Sequence, residues 1–188
     1  MIWRRLFVAY CYSHFFVFAK EIKYKDWHVN IDIDPITDKK NVSIFAGDVT
    51  KAQASESAAL MFNCELVALV PLSKNWGYNE GDKIKIIYRV DKEKPIEMEW
   101  VMHIGNAIAK KEDFMNKPIQ NGKKIVVRAG TESPRDFTFS LSGYKKAYKR
   151  LEKECVNWSD DKLWVQSQKN SYRVFKMIFE LLLSIITS

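Results

Sequence analysis

Histidine and cysteine are scarce here: three of each in 188 residues. A structural zinc site draws on about four Cys or His ligands, and His28 and His103 with two or three cysteines form no ligand spacing of that kind. No G-x-S-x-G, H-E-x-x-H, Walker or dinucleotide glycine pattern occurs. Neither histidine has a nucleophile or metal partner placed beside it in the sequence. Each reads as a sheet-surface residue, and no catalytic residue, metal or cofactor is expected. Asp32, Asp34 and Asp38 in DIDPITDKKN lack the glycine and terminal glutamate of a calcium loop, so that stretch reads as a solvated turn. Internal repeats, low-complexity runs and an uncharged apolar run of the ~20 residues needed to span a bilayer are absent too.

What the chain does have begins at its ends. In MIWRRLFVAYCYSHFFVFAKEIKYKDW, Arg4 and Arg5 form a short basic region and Leu6 to Phe18 a mostly apolar one. Val17 and Ala19 then fit a small-x-small cleavage site. Residues 1–19 are therefore expected to be a signal peptide, with a periplasmic or secreted mature chain starting near Lys20. The competing reading keeps this segment in the domain as a strand or helix. Cleavage removes Cys11, Arg4 and Arg5, which leaves Cys64 and Cys155 and lowers the net charge from +7 to +5. Two cysteines in an exported domain read as one disulfide, closing a loop of about 90 residues worth ~4 kcal/mol in the chain-entropy picture. In a cytosolic chain the same pair would be inert buried thiols.

Between the ends the pattern is short strands. Trp27, Val29, Ile31 and Ile33 alternate with His28, Asn30 and Asp32, and NVSIFAG (41–47) follows. In AALMFNCELVALV, Leu60, Phe62, Cys64, Leu66 and Ala68 share one face of a single strand. Ile84, Ile86, Tyr88 and Val90 alternate with Lys83, Lys85 and Arg89. IEMEWVM (96–102), KKIVVRA (123–129) and FTFSL (137–141) complete the set, with NEGD, NGKK and TESPRD as turns. NAIAKKEDFMNKPI reads as a short helix before Pro118.

After Gly143 the period changes. Tyr144, Ala147, Tyr148, Leu151 and Cys155 recur at helical spacing, with Lys145, Lys146, Lys149, Arg150 and Lys153 mostly on the other side. Gly143 suits a sharp strand-to-helix turn that needs positive φ or close backbone approach. About seven short strands with turns between them predict a mainly β fold. The expected architecture is an antiparallel β-sandwich over 20–158, closed by the helix at 144–155.

The last segment, YRVFKMIFELLLSIITS, is mainly apolar from Val174 to Ile186, interrupted by Lys176 and Glu180 at i,i+4. Residues 159–188 are expected to form a helical tail docked on their own domain. The sharper alternative is a groove-binding or membrane-surface helix.

The order of segments carries a resemblance. PITDKKNV follows a Trp-initiated strand, then come Cys64, YRVD at 88–91, the strand with Trp100, KKIVVRA, FTFSLSGYKKA, and last Cys155 with Trp158 close behind. Over residues 26–158 this is similar to the TagO/VasI-like family of small exported bacterial proteins associated with type VI secretion. The resemblance implies a β-sandwich whose closing strand runs into a helix ending in cysteine. The matching residues are Cys64, Cys155, Tyr88, Arg89, Asp91 and Gly143, and the family implies no catalytic residues.

The function expected is that of an exported, non-enzymatic accessory of the cell envelope with a protein partner. The alternative is a secreted effector that binds a host or competitor protein. Arg89 and Asp91, which could pair across i,i+2, and the basic helix face of Lys145, Lys146, Lys149 and Arg150 form the candidate binding surface. Nucleic acid is not expected as a partner: the lysines are dispersed over turns, only KKAYKR is a cluster, and the aromatics alternate as strand-core residues.

Overall fold

A computed structural model describes residues 20–50, 56–72, 77–114 and 117–155. The expected signal peptide (1–19) and helical tail (159–188) lie outside the described residues. The protein is mainly β. Its elements are β1 (Lys20–Tyr24), β2 (Trp27–Ile33), β3 (Lys40–Gly47), β4 (Ala58–Asn63), β5 (Leu66–Pro71), β6 (Lys83–Val90), β7 (Ile96–His103) and β8 (Asn106–Lys110). Then come the short helices α1 (Lys111–Phe114) and α2 (Lys117–Asn121), strands β9 (Lys124–Ala129) and β10 (Arg135–Ser140), and helix α3 (Tyr144–Cys155).

Among the described residues, ten strands form one antiparallel sheet in the order β1-β2-β3-β4-β5-β8-β7-β6-β9-β10. This replaces the expected seven strands, and three local causes account for the difference. The run 58–70 is a hairpin rather than one strand: Ala59 pairs with Val70 and Phe62 with Val67, with Cys64 and Glu65 at the turn. Reversal at that turn changes the faces, so Val67 and Leu69 join Leu60 and Phe62 in the core while Ala68 points the other way. Residues 106–110 form an edge-to-edge partner for β5 and β7 instead of opening a helix. Finally, Lys20–Tyr24 pairs with β2 across a two-residue turn.

Turns are set by local side chains. Asn63 Oδ1 accepts hydrogen bonds from the Glu65 and Leu66 amides at 2.8 and 2.6 Å, which tightens the cysteine-bearing turn. Asp34 Oδ1 accepts the Ile36 and Thr37 amides, so the aspartates of DIDPITD serve a turn there. Ile104 and Gly105, both at positive φ, make the two-residue β7–β8 connection.

The sheet curls until its ends meet, as a strongly twisted sheet of this size does. Trp27 Nε1 donates to the Ser140 carbonyl at 2.8 Å, Ser140 Oγ donates to Asp26 at 2.6 Å, and Val49 N donates to the Thr138 carbonyl at 2.9 Å. Contacts of this kind, rather than a ladder, join β10 to the β1–β2 turn and to the end of β3. The enclosed core is aromatic at its centre. Phe114, delivered by α1, lies 4.5 Å from Tyr88, 5.4 Å from Trp100 and 5.8 Å from Phe62, centroid to centroid. Helix α3 lays Tyr144, Ala147, Tyr148 and Leu151 into the same core, with Tyr144 edge-on to Trp27 at 4.8 Å.

The outer face divides into two halves. Over β6, β7, β9 and β10 it is charged and exposed, with cross-strand pairs Lys83–Glu99, Lys85–Glu97 and Arg128–Asp136 at 2.6 to 2.8 Å. Over β3, β4, β5 and β8 it is apolar: Phe45, Ala59, Met61, Ala68 and Val70 cluster there with Ile108.

Candidate binding surface

Two cysteines anchor the region around α3. Cys64 sits in the β4–β5 turn, not at a core-facing strand position, and Cys155 is the last residue of α3. They form a disulfide with an α-carbon separation of 5.5 Å across 91 residues of sequence. The bond fastens the C-terminal end of the helix to a hairpin tip in the middle of the sheet. Glu65, next in the turn, accepts the Lys111 amide at 2.8 Å, so hairpin, α1 and α3 converge on one corner.

Helix α3 packs across β1, β2 and β3. Its amphipathic pattern sends Lys145, Lys146, Lys149 and Lys153 to solvent. Arg150 differs from the other basic residues predicted for this surface. Its guanidinium pairs with Glu154 at 2.6 Å, one turn on, and Glu154 also accepts from Lys40 of β3 at 2.7 Å. The Lys40 ammonium, with Arg150 and Lys153 behind it, holds the Glu154 carboxyl below the usual glutamate range. Arg150 is thus tied into a helix-to-strand clamp. The three exposed lysines predicted, plus Lys153, make the basic face.

Beside that face lies a group which the sequence pattern did not single out. The Lys111 ammonium stands 5.7 Å from the centre of the Tyr148 ring. Burial pushes the lysine below its ordinary value, against the pull of Glu152 and Glu112. Burial likewise pushes Tyr148 upward, with Glu152 adding to the shift, and burial holds Tyr144 fully protonated. Lys111 lies more than thirty residues from Tyr148 in sequence, so only the tertiary fold brings them together. The Arg150–Glu154 spacing, in contrast, was readable as an i,i+4 pair.

Arg89 and Asp91 do not belong to the α3 surface. Arg89 is exposed on the outer face of β6. Asp91, at φ 47°, turns its carboxylate to the backbone, accepting the Lys123 and Lys124 amides at 2.9 and 3.0 Å. Among the described residues no ion pair joins Arg89 to Asp91, which corrects the expected i,i+2 pairing. The aspartate anchors the start of β9, and a left-handed backbone tolerated by Asp frees it to do so.

Both histidines in the described residues bind carboxylates. His28 Nδ1 lies 2.6 Å from Glu21 Oε1 on neighbouring β1, with its ring stacked 5.2 Å from Phe45. His103 Nδ1 lies 2.5 Å from Glu80 Oε1, whose other oxygen accepts the Ile104 amide at 2.6 Å. That amide first, and His103 second, hold the Glu80 carboxyl low. Among the described residues no group of three or more His, Cys, Asp or Glu is arranged to hold a metal ion, and no helix is long and apolar enough to cross a membrane. What the surface offers chemically is hydrogen-bond donation and positive charge from α3, on a helix fixed by one covalent bond and one ion-pair clamp. No family model, curated protein or solved structure matches this chain.

Proposed function

We propose that this is an exported, non-enzymatic protein of the bacterial cell envelope that acts as an accessory to a protein partner. The single observation supporting the reading is the Cys64–Cys155 bond, with its α-carbons 5.5 Å apart. A disulfide of this kind persists where the surroundings are oxidising, and export through a cleaved segment 1–19 supplies that setting. On this reading the rolled sheet serves as a sandwich closed by α3, the kinship to TagO/VasI-like proteins extends to a secretion-associated role, and the tail is an added outer layer. The partner meets the basic face of α3, since Lys145, Lys146 and Lys149 stand free of the clamp that occupies Arg150.

Intact mass and fractionation test it together. The expected result is a periplasmic protein lacking residues 1–19 and two hydrogens lighter than its reduced form. Full-length protein with free thiols in the cytoplasm overturns the proposal. Recovery from culture medium favours the second reading, an effector that binds a foreign protein through the same lysines. Turnover of cell-wall, ester or phosphoester substrates by the mature protein overturns the non-enzymatic assignment.

A further inference from the structure

Large apolar side chains on the outside of a sheet stay wet unless another layer lies over them. On the outer face of β3, β4 and β5, Phe45 and Met61 are each only 4% exposed and Val70 only 8%. No described helix or strand accounts for this. The buried side chains of α3, and Phe114 of α1, belong to the inner core. The other half of the same outer face is open to solvent, where Lys83, Glu99, Arg128 and Asp136 are all about half exposed or more. The sheet is therefore built for a third layer over one half only.

We propose that the apolar segment 174–186 of this chain seats as a helix on the outer face of β3, β4, β5 and β8. Its point of departure favours it. The described chain ends at Cys155, which is bonded to Cys64 at the tip of the β4–β5 hairpin, the two middle strands of the apolar patch. The 18 intervening residues, 156–173, can extend up to about 60 Å, far more than the run of a six-residue strand, about 20 Å. A helix over these 13 residues is also about 20 Å long. Helical spacing puts Phe175, Ile178, Phe179, Leu182 and Ile186 on one side and Lys176, Glu180, Ser184 and Thr187 on the other. The receiving face has small Ala59 and Ala68 on its middle strands, with Phe45 and Ile108 on the strands to either side, a shape that admits a helix between two walls. Segment 1–19 is the weaker occupant, because it departs from edge strand β1, three strands away from β4.

The test uses the full chain, oxidised. A photoreactive p-benzoyl-phenylalanine placed at Met61 is expected to cross-link within one molecule to a peptide from 174–186, while the same group at Lys85 gives no such product. A cross-link to residues 1–19, a cross-linked dimer, or no peptide product from Met61 overturns the assignment. Because a bulky group at Met61 could disturb folding, the tail is also altered directly. Phe179→Asp together with Leu182→Asp is expected to raise amide exchange across 58–70 at least tenfold and to create binding of a hydrophobic dye. Ser184→Asp, on the polar side, is expected to do neither. Unchanged exchange and dye binding in the double variant, or equal effects from Ser184→Asp, overturn the proposal.

Discussion

A β-carbon placed on Gly143 would lie 1.8 Å from the Tyr24 carbonyl oxygen. The strand-to-helix corner is thus pressed directly against the β1–β2 turn, where the Asp26 amide also donates to the Ser142 carbonyl at 3.3 Å. Gly143 holds φ +94°, so both the backbone conformation and the space exclude a side chain.

Gly143→Ala is expected to lower stability by about 3 kcal/mol, since a main-chain atom must move to admit the methyl group. Gly105→Ala supplies the comparison. Gly105 is also at positive φ, but nothing lies within 4 Å of its added β-carbon, so it pays only the left-handed penalty of ~1 kcal/mol. Urea unfolding midpoints of the two variants should rank in that order, and equal midpoints would contradict the close-packing account.

Cys155→Ser releases a cross-link spanning 91 residues. The expected loss is about 4–5 kcal/mol in oxidising buffer. Reductant should lower the melting temperature of the parent to that of the variant and leave the variant unmoved. Equal melting of parent and variant without reductant would show that the bond does not hold the helix.

Asp91 and Arg89 should separate cleanly. Asp91→Ala strips the Lys123 and Lys124 amides of their acceptor and is expected to cost about 2 kcal/mol. Arg89→Ala removes an exposed side chain and should stay within ~0.5 kcal/mol of the parent. Chemical denaturation checks both, and a large loss from Arg89→Ala would restore a structural role for that residue.

The acid limb of stability should follow Glu154 and Glu80. Both carboxyls are held below their ordinary value of 4.5, by Lys40 and by the Ile104 amide respectively. A depressed carboxylate contributes fully above its unfolded value, and the contribution fades as pH falls through the lower folded one. Melting temperature should therefore decline as the medium is taken below pH 4.5, and Glu154→Gln should flatten that decline. An unchanged pH slope in the variant would remove Glu154 from the clamp.

Much of the candidate surface was legible from local pattern. The α3 stripe of Tyr144, Ala147, Tyr148 and Leu151, the exposed lysines, and the need for glycine at 143 all follow from spacing and backbone sterics. Lys40 and Lys111 were not legible, because they reach α3 from β3 and from the end of β8, and nothing local marks a partner so distant in sequence. Arg89 and Asp91 misled because neighbours on one strand face suggest a pair, whereas a backbone amide from another strand took the carboxylate.

The sequence by itself determined which strands separate core from water. β6, with Ile84, Ile86, Tyr88 and Val90 against Lys83, Lys85 and Arg89, needs no tertiary information, because one face is dry and the other wet. Tertiary structure alone decided where 58–70 reverses, since Ala58 to Phe62 and Val67 to Val70 are buried on both faces and alternation vanishes there. It also decided the strand order and the union of Cys64 with Cys155. Those depend on contacts between distant segments, whose free energy no local period records.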